Sequence, residues 1–158
     1  EVVRIVNAQR PDVHFLVAGA GDQADSLRVA TEGLPVRMLG WRDDVETVLA
    51  ACDSILLTSD NEGTPLSLIQ AGMAGLPVIA SDVGSVSNVV LDGETGWLAK
   101  PDADKISRAV LNCLDNPHEA SRRGLVGKAH ADAKFGVQRL VTDHADMYRD
   151  LVKQANFA

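Results

Sequence analysis

Positive charge is scarce in this chain. Its 158 residues include 15 Lys and Arg against 22 Asp and Glu, which gives a formal net charge of −7. A protein that binds nucleic acid through the phosphates needs clustered Lys and Arg. The charge balance therefore argues against nucleic acid as a partner.

Cysteine pairs, metal-ligand spacing and long apolar runs are also lacking. Cys52 and Cys113 are far apart, each in an apolar stretch, which favours buried free thiols over a disulfide or a metal pair. The four histidines have no metal-ligand spacing, so no metal site is expected. No apolar run approaches the roughly 18 residues of a membrane span, and no signal peptide is visible. We therefore expect a cytoplasmic protein without a transmembrane segment.

Short apolar runs alternate with helical patterns along the chain. Hydrophobic residues make up 46% of the sequence, which is enough for one domain with a substantial core. Strands that alternate with helices are typical of a parallel sheet. The runs predict five strands, at residues 13–18, 36–39, 54–59, 78–81 and 97–99.

Helical patterns fill the intervals and the C-terminal third. The last helix carries an apolar stripe, which we interpret as packing on the domain's own sheet. Besides a helix from about Gln23, the predicted helices cover residues 1–10, 45–51, 65–74, 85–90, 103–114, 119–131 and 137–152.

The stretch 57–84 carries the strongest functional pattern, because a helix begins directly after a strand. Thr64 is suited to be the N-cap and Pro65 to be the first helical residue, which leaves the amides of Leu66 and Ser67 uncommitted. Such a helix start at the carboxyl end of a parallel strand is suited to bind a phosphate or diphosphate. The alternative is an ordinary strand-to-helix crossover, which any doubly wound protein contains.

Two polar residues flank that helix start. Glu62 lies in the loop before the helix, and Gln70 lies one turn inside it. Side chains lean toward the N-terminus of a helix, so we expect Gln70 to reach back beside a bound anion.

Two further loops follow the first and second predicted strands. Gly19 and Gly21 form a Gly-x-Gly turn, which lets a ligand approach the backbone, although a structural turn is the alternative because the third glycine is absent. Gly40, Trp41 and Arg42 follow the second strand, and from the residues alone Trp41 is interpreted as a hydrophobic cover over the core.

The central stretch reads Glu62-Gly63-Thr64-Pro65, then Gln70-Ala71-Gly72-Met73-Ala74-Gly75-Leu76-Pro77-Val78-Ile79-Ala80. This pattern resembles the signature of retaining glycosyltransferases of family 4 (group 1), which have the GT-B architecture. In that family a Glu, seven residues and a second Glu precede Ala-x-Ala-x-Gly-x-Pro-Val-Ile. The chain departs from the signature at the second Glu, which is Gln70 here. The resemblance covers nearly the whole chain.

The resemblance implies the donor-binding, C-terminal half of a GT-B enzyme. It predicts one Rossmann-like domain over residues 1–158, a doubly wound parallel sheet with a helical C-terminus. The family has a further first strand, with an Arg and a Lys that grip the diphosphate, and nothing before Glu1 corresponds to it. We therefore expect five strands rather than six, in a domain truncated at its N-terminus. The final helix of family members crosses onto the other half, which would expose part of the stripe.

The resemblance also assigns roles to residues. Glu62 is expected to be catalytic, beside the transferred sugar and Gly63. The diphosphate is expected at the amides of Leu66 and Ser67, the ribose near Gln70, and the nucleobase against the loop after the second strand. The full set of expected donor-binding residues is Gly19, Gly21, Gly40, Trp41, Arg42, Gly63, Thr64, Pro65, Leu66, Ser67, Gln70 and Gly84.

These features predict the nucleotide-sugar-binding half of a retaining glycosyltransferase. A UDP-, GDP- or ADP-sugar would donate a hexosyl group to an unidentified acceptor, with no metal or other cofactor, since the family needs none. The missing N-terminal GT-B half would be a partner and would make any contact with a membrane surface, and this segment alone is expected to be inactive. The alternative is a non-catalytic or degenerate module, or a partner subunit of a split enzyme, because Gln70 and Asn88 stand where the family has Glu.

Overall fold

A computed structural model describes residues 1–155, in which strands alternate with helices. All five predicted strands are confirmed, with ends that differ by no more than two residues. Residues 156–158, which the predicted domain includes, lie outside the described residues. The strands are β1 Phe15–Ala18, β2 Val36–Gly40, β3 Ile55–Leu57, β4 Val78–Ser81 and β5 Gly96–Ala99.

The predicted helices are also confirmed, with shifted ends. The sixth helix is longer than predicted, because Asn116 and Pro117 start it directly after the fifth. The helix predicted at 85–90 is a single 3-10 turn, Val86–Asn88. The α-helices are α1 Val2–Gln9, α2 Ala24–Ala30, α3 Val45–Ala50, α4 Leu66–Met73, α5 Ala103–Asp115, α6 Pro117–Phe135 and α7 Val137–Ala155.

All strand pairs are parallel, but the strands do not form one continuous sheet. β1 pairs with β2, and β3, β4 and β5 pair in that order. Within residues 1–155, β1 shares no backbone hydrogen bond with β3. The parallel α/β class with five strands is therefore confirmed. The five strands are divided between a two-stranded and a three-stranded sheet, because within residues 1–155 nothing pairs with β1 on the side away from β2.

Helices cover both faces of the three-stranded sheet, as a doubly wound fold requires. Ile79 of β4 packs with residues of α1 and α5 on one face. Its neighbours Val78 and Ala80 pack with residues of α4 on the other face, where α6 lies against α4. Because β4 is covered on both sides, all four of its residues are buried, which explains its continuous apolar run.

The packing of α6 on α4 depends on small residues. Gly124, Gly127 and Ala131 are buried on α6. A Cβ at Gly124 would overlap the carbonyl oxygen of Gly75, at the turn that follows α4. The backbones therefore approach too closely for any larger residue at this position.

The apolar stripe of α7 does not pack on the sheet. Leu140, Tyr148 and Leu151 are 52%, 62% and 53% exposed. Our interpretation that this stripe is buried by the domain's own sheet is therefore wrong. No helix within residues 1–155 combines the length and apolar character that crossing a bilayer requires.

Candidate glycosyl-donor site

The candidate site begins where β3 runs into α4. Our prediction that Thr64 caps this helix is wrong, because Pro65 is the N-cap and Leu66 the first helical residue. The ψ of Pro65 is 105°, which is extended rather than helical. Its carbonyl accepts hydrogen bonds from the amides of Leu68 and Ile69, at 3.1 and 3.3 Å.

This start leaves two backbone donors free. Among the hydrogen bonds of residues 1–155, none is donated by the amide of Leu66 or of Ser67. The Leu66 side chain is 65% exposed, so solvent reaches the end of the helix. Free amides at a helix N-terminus carry partial positive charge and favour an anion.

The loop that contains Glu62 is held by the turn after β4. The Ser85 amide donates to the Glu62 carbonyl at 3.2 Å. Gly84 has φ +52°, and a Cβ there would overlap the same carbonyl oxygen. In the part of the chain that the structure describes, the Glu62 carboxylate has no hydrogen bond or ion pair of its own, so it is available to a ligand.

Ser81 adds a second hydrogen bond between the end of β4 and the loop that follows β3. This residue is fully buried, and its hydroxyl donates to the carbonyl of Ser59 at 2.6 Å. Sequence reasoning missed this role, although a serine at the end of an otherwise apolar strand was a possible signal.

One open cavity of about 1850 Å³ runs between the two sheets. Its lining includes Gly19, Trp41, Arg42, Ser67 and Gln70, so the structure brings five of the predicted donor-binding residues to one crevice. The other predicted residues lie outside that lining: Gly21, Gly40, Glu62, Gly63, Thr64, Pro65, Leu66 and Gly84.

The loop after β2 forms the opposite side of the crevice. The amide of Gly19 donates to the carbonyl of Gly40 at 2.7 Å, which joins the ends of β1 and β2. Trp41 is 78% exposed, so the interpretation of this residue as a cover over the core is wrong. The Arg42 guanidinium donates to the Asp44 carboxylate with two nitrogens, and this hydrogen bonding raises the pKa of Arg42 and lowers the pKa of Asp44.

The cations in the cavity lining are Arg4, Arg10 and Arg42. Each lies beside a carboxylate: Arg4 is 3.8 Å from Glu1, Arg10 is 2.8 Å from Asp12, and Arg42 pairs with Asp44. Within the described residues, the crevice therefore offers an anion the backbone amide of Ser67 but no unpaired cation.

Gln70 lies one turn into α4 and is half-buried beside the crevice. Its side-chain amide makes no hydrogen bond within residues 1–155, so both of its polar atoms are available. Asn88, the other amide at a position where a Glu was expected, is exposed at the end of the 3-10 turn. No group of three His, Cys, Asp or Glu side chains in the described part of the chain could hold a metal ion.

Comparison with known proteins decides the family. The family model described as "Glycosyl transferases group 1" matches residues 1–116 of this chain. The chain belongs to the group 1 glycosyltransferases. The resemblance seen in the central stretch is therefore confirmed.

Curated relatives of this glycosyltransferase chain include enzymes of different names. The glycogen synthase of Mycobacterium tuberculosis is 30% identical over 145 residues, which are 87% of this chain and 35% of that protein. A GDP-mannose-dependent monoacylated alpha-(1-6)-phosphatidylinositol monomannoside mannosyltransferase of Corynebacterium glutamicum is 31% identical over 142 residues, 82% of this chain and 37% of that protein. The chain thus spans little more than a third of the length of either relative.

Solved structures confirm the Rossmann-like fold of a GT-B enzyme. Sucrose-phosphate synthase from Thermosynechococcus elongatus superposes with a TM-score of 0.82 at 26% identity, covering 97% of this chain and 42% of that one. Anabaena Alr3699/HepE in complex with UDP superposes with a TM-score of 0.83 at 23% identity, covering 94% and 44%.

Proposed function

We propose that this chain is the nucleotide-sugar-binding half of a retaining glycosyltransferase. Such an enzyme moves a hexosyl group from a UDP-, GDP- or ADP-sugar to an acceptor. Membership of the group 1 glycosyltransferases supports the transferase class. The neighbour HepE, which is in complex with UDP, supports a nucleotide as the ligand.

The proposal depends on the two free amides of Leu66 and Ser67 at the start of α4. During sugar transfer the bond between the anomeric carbon and the diphosphate oxygen breaks, and its electron pair leaves with the diphosphate. The acceptor oxygen bonds to the anomeric carbon and releases its proton. Fixed donors that stabilise the departing charge favour this reaction, and the helix dipole adds to them.

The remaining parts of the nucleotide-sugar would then contact residues on both sides of the crevice. The nucleobase would lie against residues 40–42 and the ribose hydroxyls beside Gln70. The transferred sugar would lie near Gly63 and Glu62, whose loop accepts a hydrogen bond from the Ser85 amide. Glu62 would act on the sugar as the catalytic residue.

A proline substitution tests the amide contact directly. Leu66→Pro removes one N–H donor, while proline is tolerated at the first position of a helix. The preceding residue, Pro65, is already extended, as a residue before proline prefers to be. A hydrogen bond to a charged group contributes about 1.5–3 kcal/mol, so we expect UDP affinity to fall by about tenfold to a hundredfold in titration calorimetry.

Leu66→Ala is the matched control, because it shortens the same exposed side chain and keeps the amide. We expect this variant to bind UDP like the parent chain, and both variants to keep the parent's circular dichroism spectrum. Equal UDP affinities for the proline and alanine variants would contradict the proposal.

A second candidate function is a non-catalytic module that keeps the fold of the family. Two observations favour it: Gln70 and Asn88 are amides, and the crevice has no unpaired cation within residues 1–155. The carboxylate of Glu62, which has no internal partner, favours the enzyme instead.

Substitution of Gln70 measures how much the amide has weakened the site. A carboxylate accepts hydrogen bonds from a ribose diol more strongly than a neutral amide does. We expect Gln70→Glu to tighten UDP or GDP binding by about threefold to tenfold, roughly 1 kcal/mol, and Gln70→Ala to weaken it. If both variants bind like the parent chain in titration calorimetry, Gln70 does not contact the nucleotide.

A further inference from the structure

The C-terminal end of α6 is held by three neighbouring side chains, His130, Lys134 and Phe135, which we call the end cluster. The Lys134 ammonium donates to the carbonyl of Asn88, the last residue of the 3-10 turn, at 2.7 Å. Phe135 packs against the buried group of apolar side chains that includes Val86 of the same turn. The end cluster therefore fixes α6 to the turn that follows β4.

His130 carries a buried atom without a partner. Within residues 1–155, its Nε2 is the one buried side-chain nitrogen or oxygen that makes no hydrogen bond. The ring lies edge-on to the ring of Phe135, and their centres are 6.2 Å apart. A neutral imidazole has one nitrogen without a hydrogen, whereas both nitrogens of the charged form are donors. The buried Nε2 therefore suits the neutral ring, because a charged N–H in the same place has no acceptor.

Two charged groups act on the His130 ring from opposite sides. Lys134 lies one turn further along the same helix, and Glu94 lies on the turn before β5. Burial lowers the pKa of His130 below its ordinary value of 6.5, the positive charge of Lys134 lowers it further, and Glu94 opposes the shift. A proton on His130 thus adds a second positive charge beside the ammonium that binds Asn88.

We propose that the end cluster is a pH-sensitive contact, in which neutral His130 keeps α6 on the 3-10 turn and protonation of His130 releases it. The charged ring must turn toward water or Glu94 to find an acceptor, which separates it from Phe135. Repulsion between the two like charges then favours movement of Lys134 away from the carbonyl of Asn88.

Release of the 3-10 turn would reach the candidate site through the backbone. The residue before the turn is Ser85, whose amide donates to the carbonyl of Glu62 at 3.2 Å. Loss of the contact with α6 would therefore leave the Glu62 loop less firmly supported in acid. The contact itself depends only on packing within the chain, so it can be tested without a bound donor and independently of the proposed function.

The direction of the pH dependence follows from proton linkage. The pKa of His130 is lower in the folded chain than its ordinary value of 6.5, which applies when the chain is unfolded. The unfolded or locally opened chain therefore binds the proton more readily. The stabilisation is complete above about pH 6.5 and decreases as the pH falls below it.

A matched contact on the same helix provides an internal control. The Lys128 ammonium donates to the carbonyl of Met73, at the end of α4, at 2.6 Å. The amide of Ala74 reports on this contact and the amide of Val89 reports on the end cluster, since each donates at 2.9 Å within its own turn. The two contacts are alike except for the histidine.

Amide hydrogen exchange of the whole chain, followed by NMR and corrected for intrinsic rates, is the test. Between about pH 7.5 and about pH 5.5 we expect protection of Val89 to fall by about threefold to tenfold, and protection of Ala74 to change by less than about twofold. No change at Val89, or equal changes at Val89 and Ala74, would overturn the proposal. This comparison needs no variant, so it decides the question even if a substitution prevents folding.

Two histidine substitutions on α6 then identify the group that titrates. His130→Gln removes the titrating group, and we expect protection of Val89 to lose its pH dependence in this variant. His118→Gln is the control, because His118 is exposed at the other end of the same helix. We expect this control to keep the threefold to tenfold change of the parent chain, within about a factor of two. A pH dependence that survives His130→Gln, or that is lost equally in both variants, would contradict the proposal.

Discussion

The two parts of the sheet differ in how well they are supported. In the three-stranded part, all of β4 is buried, and α4, α5 and α6 each contain buried residues. In the two-stranded part, neither strand has a buried residue, and α2 has none. The candidate site uses both parts, because α4 and the Glu62 loop belong to the first and Trp41 to the second. The groups proposed for the diphosphate are therefore anchored more firmly than those proposed for the nucleobase.

Matched Leu→Ala substitutions in the two parts test this difference, and we expect the largest effect here. Leu68 of α4 is 1% exposed, whereas Leu27 of α2 is 37% exposed. Removing a buried leucine side chain costs the burial energy and leaves a cavity, so Leu68→Ala should lower the free energy of unfolding by about 3 kcal/mol. Leu27→Ala should cost less than about 1 kcal/mol. Urea unfolding measures both, and equal losses would show that the two parts are equally well packed.

Substitution at the contact between the Glu62 loop and the turn after β4 should have a smaller effect on the free energy of unfolding. Gly84 and Gly93 both have positive φ, at +52° and +78°, but only at Gly84 would a Cβ meet other atoms within 4 Å. Gly93→Ala should cost about 1 kcal/mol of unfolding free energy, from backbone strain alone. Gly84→Ala should cost about 2–3 kcal/mol, because the Glu62 carbonyl must also move. It should also weaken UDP binding in calorimetry, whereas the Gly93 variant should bind normally.

The smallest effect concerns acid stability, through an ion-pair cluster in the three-stranded part. Hydrogen bonds from Arg122, and then from Arg123, lower the pKa of Glu119 to about 2 from an ordinary value of 4.5. A lowered pKa in the folded chain stabilises it above the ordinary value, and that stabilisation is lost as the pH falls toward 2. Glu119→Gln should therefore lower the thermal midpoint at pH 7 and have progressively less effect between pH 4.5 and pH 2.

Asp44→Asn is the matched substitution in the two-stranded part. The pKa of Asp44 is also lowered, chiefly by its hydrogen bonds to Arg42. The pair of Arg42 and Asp44 lies within one loop, whereas Arg123, the partner of Glu119 in α6, also donates to the carbonyl of Gly96 in β5. We therefore expect Asp44→Asn to change the thermal midpoint less than Glu119→Gln does at pH 7. A larger loss from Asp44→Asn would reverse the comparison between the two parts.

Much of the fold was predictable from local patterns. Val78 to Ser81 form an apolar run bounded by Pro77 and Asp82, and this run is the central strand of its sheet. The division into two sheets was not predictable in this way. Whether β1 and β3 share backbone hydrogen bonds is not encoded in the pattern of apolar side chains along the chain. The exposure of Tyr148 and its neighbours on α7 does not follow from periodicity, which reveals an apolar face but not what covers it. The family resemblance, by contrast, implied that part of this stripe would be exposed.

The candidate site was predictable where its chemistry follows from helix geometry. The free amides of Leu66 and Ser67 were expected from the strand, loop and helix order, although the N-cap was misplaced by one residue. The contact between Gly84 and the Glu62 backbone joins residues far apart in the sequence, so no local pattern indicated it.

The two tryptophans lie in different environments, so their fluorescence can report on the two parts of the molecule separately. Trp97 is 8% exposed, donates to Asn112 at 2.9 Å, and has the Arg123 guanidinium 4.0 Å from its ring centre. Trp41 is open to water beside the crevice. A soluble fluorescence quencher should therefore reach the indole of Trp41 but not that of Trp97. Protection of Trp41 would then report nucleotide binding at the crevice, and exposure of Trp97 would report unfolding of the core.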